Sequence, residues 1–178
     1  IANETAVSTT SSGTSAAQAT AAASSSQNQS KYEANVASVA GKMDNRVIAA
    51  YQQLGFKLVV DPSVNYSGYF DARSRSITMK QIDDSVYHEL GHFLAFIAGN
   101  VDKTASFQSI FAAEKANVTA FNKAYVTQNA SEYFAESVKD YILNNASLKS
   151  TRPQTYAAVQ NALNQITDAQ IAKIQKTY

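Results

Sequence analysis

The pattern His88-Glu89-Leu90-Gly91-His92 constrains this chain more than anything else in it. It lies inside a stretch that reads as one helix from about Asp84 to Ala98, stopped at Gly99-Asn100. Residues four apart share a helix face, so both imidazoles can reach one ion. Zn²⁺ accepts neutral imidazole readily and, in a catalytic site, leaves one position open for water. Glu89 follows the first ligand, so its carboxylate lies beside the metal and can take a proton from an attacking water. A lone histidine is usually structural, but the chain has only two and both fall in this pattern.

A third ligand has to come from elsewhere. No histidine follows His92 and there is no cysteine, which excludes a thiolate ligand and a thiol nucleophile alike. Three glutamates lie downstream: Glu114, Glu132 and Glu136. The segment Glu132-Tyr133-Phe134-Ala135-Glu136 is the better candidate. It sets two carboxylates one turn apart on an apolar helix, an arrangement that a nearby cation would stabilise. Glu132 is assigned as the ligand, and Glu136 as a group that hydrogen-bonds a ligand histidine and orients it.

The rest of the chain reads as an α+β fold, mostly helical, with a small sheet before the zinc-binding helix. Residues 1–30 are rich in Ser, Thr, Ala, Gln and Asn, and predict a disordered tail. Residues 31–178 then form one domain. Val36, Val39, Met43, Val47, Tyr51 and Leu54 recur at helical spacing and predict one amphipathic helix, with Gly55 at its C-terminal end. Phe56–Val60 reads as a strand stopped by Asp61-Pro62. Gly68–Phe70 and Ser76–Met79 read as a hairpin. Helices are expected over about Thr104–Lys115 and Ser131–Asn144, from Pro153, and from Thr167-Asp168.

The net charge is +1 with 16% charged residues, and no apolar run approaches a membrane span. Nucleic acid and a membrane span are therefore not expected. The tail favours a secreted protein, with any export signal already removed; a bacterial source and a monomer are expected.

Three segments resemble a known family, the catalytic domain shared by anthrax lethal factor and the secreted bacterial Pro-Pro endopeptidases. They are His88–His92; Tyr125 followed seven residues later by Glu132 in Glu-Tyr-Phe-Ala-Glu-Ser; and Leu148-Lys149-Ser150-Thr151-Arg152-Pro153-Gln154-Thr155-Tyr156. A further likeness covers Ser106–Ala112. The resemblance implies a zincin-like metallopeptidase with one zinc held by His88, His92 and Glu132. It implies Glu89 as general base, and Tyr125 as donor to the oxyanion. Its substrates would be proteins or peptides.

The Pro-Pro endopeptidases have a longer, glycine-rich segment before the zinc helix, where this chain has a compact hairpin between Pro62 and Asp84. Proline specificity is therefore not carried over, and proline-containing segments are one candidate class among extended substrates. Arg73–Met79, with Ser74, Ser76, Ile77 and Thr78, is expected to form an edge strand to which substrate adds. Two other functions are compatible with the residues: a catalytically silent binding domain on the zinc fold, and a zinc amidase acting on cell-wall peptides.

Overall fold

Two alternating pairs of residues, Leu58 with Val60 and Ile77 with Met79, turn one face of a small sheet into the floor of the core. All four are buried, and they lie in register as Leu58↔Ile77 and Val60↔Met79. The computed structural model describes residues 30–178. Residues 1–29, which make up nearly all of the expected tail, lie outside the described residues.

The strands are β1 (Tyr32–Ala34), β2 (Lys57–Val60), β3 (Gly68–Asp71) and β4 (Ser76–Met79), in the order β1-β2-β4-β3. β2 and β4 run parallel, and the other two pairings are antiparallel. This corrects the expected edge strand. β4, which carries Ser76, Ile77 and Thr78, is flanked on both sides, and Ser74 lies in the turn before it. β2 occupies the side of β4 that the hairpin leaves free, so the edge of the sheet on this side is β3.

The helices among the described residues are α1 (Val36–Val39), α2 (Asn45–Gln53), α3 (Ser85–Ile97), α4 (Ala105–Glu114), α5 (Lys123–Val126), α6 (Ala130–Leu143), α7 (Asn145–Thr151), α8 (Pro153–Asn164) and α9 (Asp168–Thr177). The single helix expected over 36–54 is thus two. Asn35 caps the first, accepting from the N–H groups of Ala37 and Ser38. Asp44 starts the second, accepting from Arg46 N–H. The apolar residues of the pattern still reach one core, because both short helices lay their inner faces on it. Gly55 ends α2 with φ +73°, a left-handed conformation that costs glycine nothing.

α3 is the central beam. One side packs on the sheet through an aromatic cluster: Phe93 meets Tyr51 edge-on at 5.0 Å and Phe56 at 4.9 Å, and Phe70 stacks on Phe56 at 5.9 Å. The opposite side packs on α6. Leu90, Phe93 and Leu94 are fully buried, each contributing roughly 1.5–3 kcal/mol. Behind α6, Phe107 of α4 meets Phe134 edge-on at 5.1 Å. No described helix is long and apolar enough to cross a membrane.

Candidate metal centre

The expected ligands come from two helices that touch at unusually close range. A Cβ placed on Gly91 would lie 2.7 Å from both the Cα and the carbonyl oxygen of Ala135. A glycine facing an alanine lets the two backbones meet. The motif face of α3 is thereby brought against the face of α6 that carries Glu132 and Glu136.

Local sequence fixes where α6 begins. Asn129 is its N-cap, and its Oδ1 accepts from Glu132 N–H at 2.9 Å. Glu132 therefore falls in the first turn, where a carboxylate also suits the helix dipole. Ser131 Oγ donates to the carboxylate of buried Asp102, in the 3₁₀ turn that follows α3. The N-terminal end of α6 is tied there to the C-terminal end of α3. Tyr125 sits on the single-turn helix α5, just before α6.

The atoms converge. His88 Nε2 lies 3.1 Å from Glu132 Oε2, and His92 Nε2 lies 3.6 Å from the same oxygen. One donor atom from each of His88, His92 and Glu132 falls within 4.8 Å of the other two. On the far side of its ring, His88 Nδ1 is 2.8 Å from Glu136 Oε2. With Nδ1–H donated to Glu136, Nε2 is the nitrogen aimed into the cluster. Glu136 also accepts from Lys139 Nζ at 3.3 Å. Two imidazoles and one carboxylate, with the histidine backed by a second carboxylate, fit Zn²⁺ in both donor type and number.

Charges follow this packing. Burial alone would depress His88, but its bonds to Glu132 and Glu136 outweigh it and push the imidazole up to about 9. In the metal-free protein His88 is therefore an imidazolium bridging two carboxylates, a proton standing where a cation fits. Burial would raise Glu132, but His88 and His92 hold it well below the usual carboxylate range. Burial also acts on Glu136, and the His88 bond and the Lys139 ammonium bring it down. Glu89 differs: burial dominates and its carboxyl is raised, as suits a proton acceptor. Burial, then the Glu132 carboxylate, raises the Tyr125 phenol, which stays protonated and able to donate.

A cavity of about 360 Å³ opens at the cluster, lined by Tyr66, Ser67, Gly68, Ser85, His88, Glu89, Asn122, Tyr125, Glu136 and Lys139. The half-exposed Tyr125 ring lies 6.5 Å from the His88 ring. A second cavity of about 200 Å³ lies at His92, lined also by Phe70, Phe96, Lys103 and Ser131. β3 runs between the two, from Gly68 to Phe70. Lys80 N–H bonds Ser67 O at 3.0 Å, so Tyr69 and Asp71 are the residues that pair with β4. The main-chain groups of Gly68 and Phe70 then point to the open edge.

Gly68 is a site residue that sequence reasoning missed. A Cβ there would lie 2.7 Å from Glu89 Cγ and Oε1. Its signal was a glycine opening a strand, where close backbone approach is one explanation. Gly91 stood in the motif itself, and its partner Ala135 between the two glutamates. Glu114, the other downstream glutamate, is buried away from this cluster, bonded to Gln154 and Thr155.

A stretch of 78 residues is 41% identical to the Pro-Pro endopeptidase of Clostridioides difficile (strain 630). That stretch covers 42% of this chain and 34% of the relative, so the chain spans about a third of the length of the curated protein it matches. The family described as anthrax toxin lethal factor, N- and C-terminal domain, matches residues 72–162, a span that holds α3, α6 and Tyr125, and this chain belongs to that family.

Proposed function

We propose that this chain is a secreted, zinc-dependent endopeptidase of zincin-like fold that cuts extended protein segments. The observation that carries this reading is the convergence of His88, His92 and Glu132, with the Glu89 carboxylate at the same cavity and beside an open strand edge. Likeness to a protein named Pro-Pro endopeptidase supports a peptide substrate.

His88, His92 and Glu132 would hold the ion, and Glu136 would keep the His88 ring turned toward it. Bound there, Zn²⁺ would supply Lewis acidity, enough to lower the pKa of water to ~7 and to polarise the scissile carbonyl. Glu89 takes the proton of the attacking water and passes it to the leaving amine. Tyr125 donates its phenolic hydrogen to the oxygen that gains charge as the carbonyl carbon becomes tetrahedral. Gly68 and Phe70 offer main-chain groups to which an extended substrate adds as a strand. That role passes from β4 to β3.

The test compares the wild type with Glu89→Gln on a diverse, proline-enriched peptide library, with new termini identified by mass spectrometry. Cleavage by the wild type alone, abolished by a chelator, with zinc retained in Glu89→Gln, is the expected result. Zinc in both proteins and cleavage by neither would replace this reading with a binding domain.

A further inference from the structure

The segment Leu148–Tyr156 lies within the residues that the family matches, yet contributes nothing to either cavity at the metal cluster. It packs on the back of α6. Glu114, the last residue of α4, is 5% exposed. It accepts from Gln154 N–H at 3.0 Å, Thr155 N–H at 2.8 Å and the Thr155 hydroxyl at 2.6 Å, which caps α8. Thr155 Oγ1, its hydrogen thus committed, accepts from the Tyr133 phenol of α6 at 2.6 Å. Arg152, 4% exposed, donates through Nη1 to Ser137 Oγ at 3.1 Å and through Nη2 to the Asp140 carboxylate. Ser137 Oγ in turn donates to Tyr133 O at 2.7 Å. Tyr133, Ser137 and Asp140 all belong to α6, the helix that presents Glu132 and Glu136 to α3.

We propose that this buried assembly sets the rotation of α6 about its own axis. Arg152, Thr155 and Glu114 are then positioning residues for Glu132 and Glu136. Phe107 and Phe111 of α4 also pack there, on Phe134 and Tyr133, but apolar burial has no direction of its own. Hydrogen bonds weaken steeply as their angles open. With side chains reaching ~5–6 Å from a helix axis, a turn of about 10° moves a carboxylate on the order of 1 Å. That is enough to lose the 2.8 Å contact between Glu136 and His88. Fold stability is a weak reason for pairing buried Arg152 with the partly buried Asp140, because apolar replacements of such ion pairs are commonly neutral or stabilising.

The inference rests on the metal-site reading. Its test is the double variant Arg152→Met with Asp140→Leu. Three quantities are read: the melting temperature, zinc affinity against a competing chelator, and the His88 Nδ1 proton resonance of the metal-free protein. The expected result is a melting temperature held or raised, zinc affinity down about tenfold, and the His88 resonance broadened or lost. A folded variant with wild-type zinc affinity and an unchanged His88 resonance overturns the proposal. Absence of zinc binding by the wild type sinks the metal reading instead, and the His88 resonance still decides the positioning role. Should the double variant not fold, Thr155→Val, which keeps the shape and removes the hydroxyl, is judged by the same two site readouts.

Discussion

Gly91→Ala tests whether the site depends on the contact between α3 and α6. The new Cβ would meet Ala135 Cα and O at 2.7 Å, against 3.4 Å for ordinary contact. Both atoms are backbone, so no side chain can swing aside, and the helices must part by about 0.7 Å. The same opening, applied to the 2.8 Å and 3.1 Å contacts of His88 with Glu136 and Glu132, takes both to about 3.5 Å or beyond. Overpacking costs about 1–3 kcal/mol. Alanine returns up to about 1 kcal/mol of helix propensity over glycine. The net loss of about 0–2 kcal/mol lowers the melting temperature by at most several degrees in a domain of this size. Zinc affinity should fall about 10–100-fold, as when the groups behind a ligand are disturbed. Calorimetric melting of the metal-free variant, with chelator competition for zinc, separates the two effects. A variant that melts at or above the wild-type temperature and binds zinc equally well refutes the close approach as the determinant of the site.

Gly68→Ala presses on the flexible end of Glu89 rather than on backbone. Peptide cleavage should drop at least tenfold while zinc affinity and melting temperature hold, and loss of zinc would refute this. Tyr125→Phe, at a half-exposed position, should lower kcat about 10²–10³-fold with zinc binding intact. A change confined to KM would remove Tyr125 from the oxyanion role. In the metal-free protein, His88 titrates near 9 against about 6.5 in the unfolded chain. A raised histidine gives stability that is complete below pH 6.5 and lost as pH rises through 9. Urea unfolding should show a loss of up to about 3 kcal/mol over that window. A flat profile refutes the imidazolium bridge.

The central beam of the fold was legible because its signal is local. Helical spacing and the histidine pair lie within α3, and the stop at Gly99 comes just past its C-terminal end. The two-helix form of 36–54 was half visible: the apolar spacing continues across the break, while Asn35, Gly41 and Asp44 mark it. β1 left little trace, since Tyr32–Ala34 is three residues long and largely exposed. The order of the sheet was not legible at all. The parallel pairing of β2 with β4 joins segments separated by β3, and no nearest-neighbour pattern encodes it. That one non-local pairing moved the edge from β4 to β3. The polar groups behind α6 were hidden for the same reason. Arg152 and Glu114 look like ordinary surface charges until the chain brings them into the interior.

The proposed ligands come from only two helices, and the chain between them is long. An ion joining His92 to Glu132 would act as a cross-link that closes a loop over residues 93–131. In the loop-closure treatment of cross-links, a ring of that length removes ~4 kcal/mol of chain entropy from the unfolded state. Tyr125 lies on this ring. Chelation would therefore release a constraint on the segment that carries the proposed oxyanion donor, and proteolytic nicking after metal removal should begin between α4 and α6.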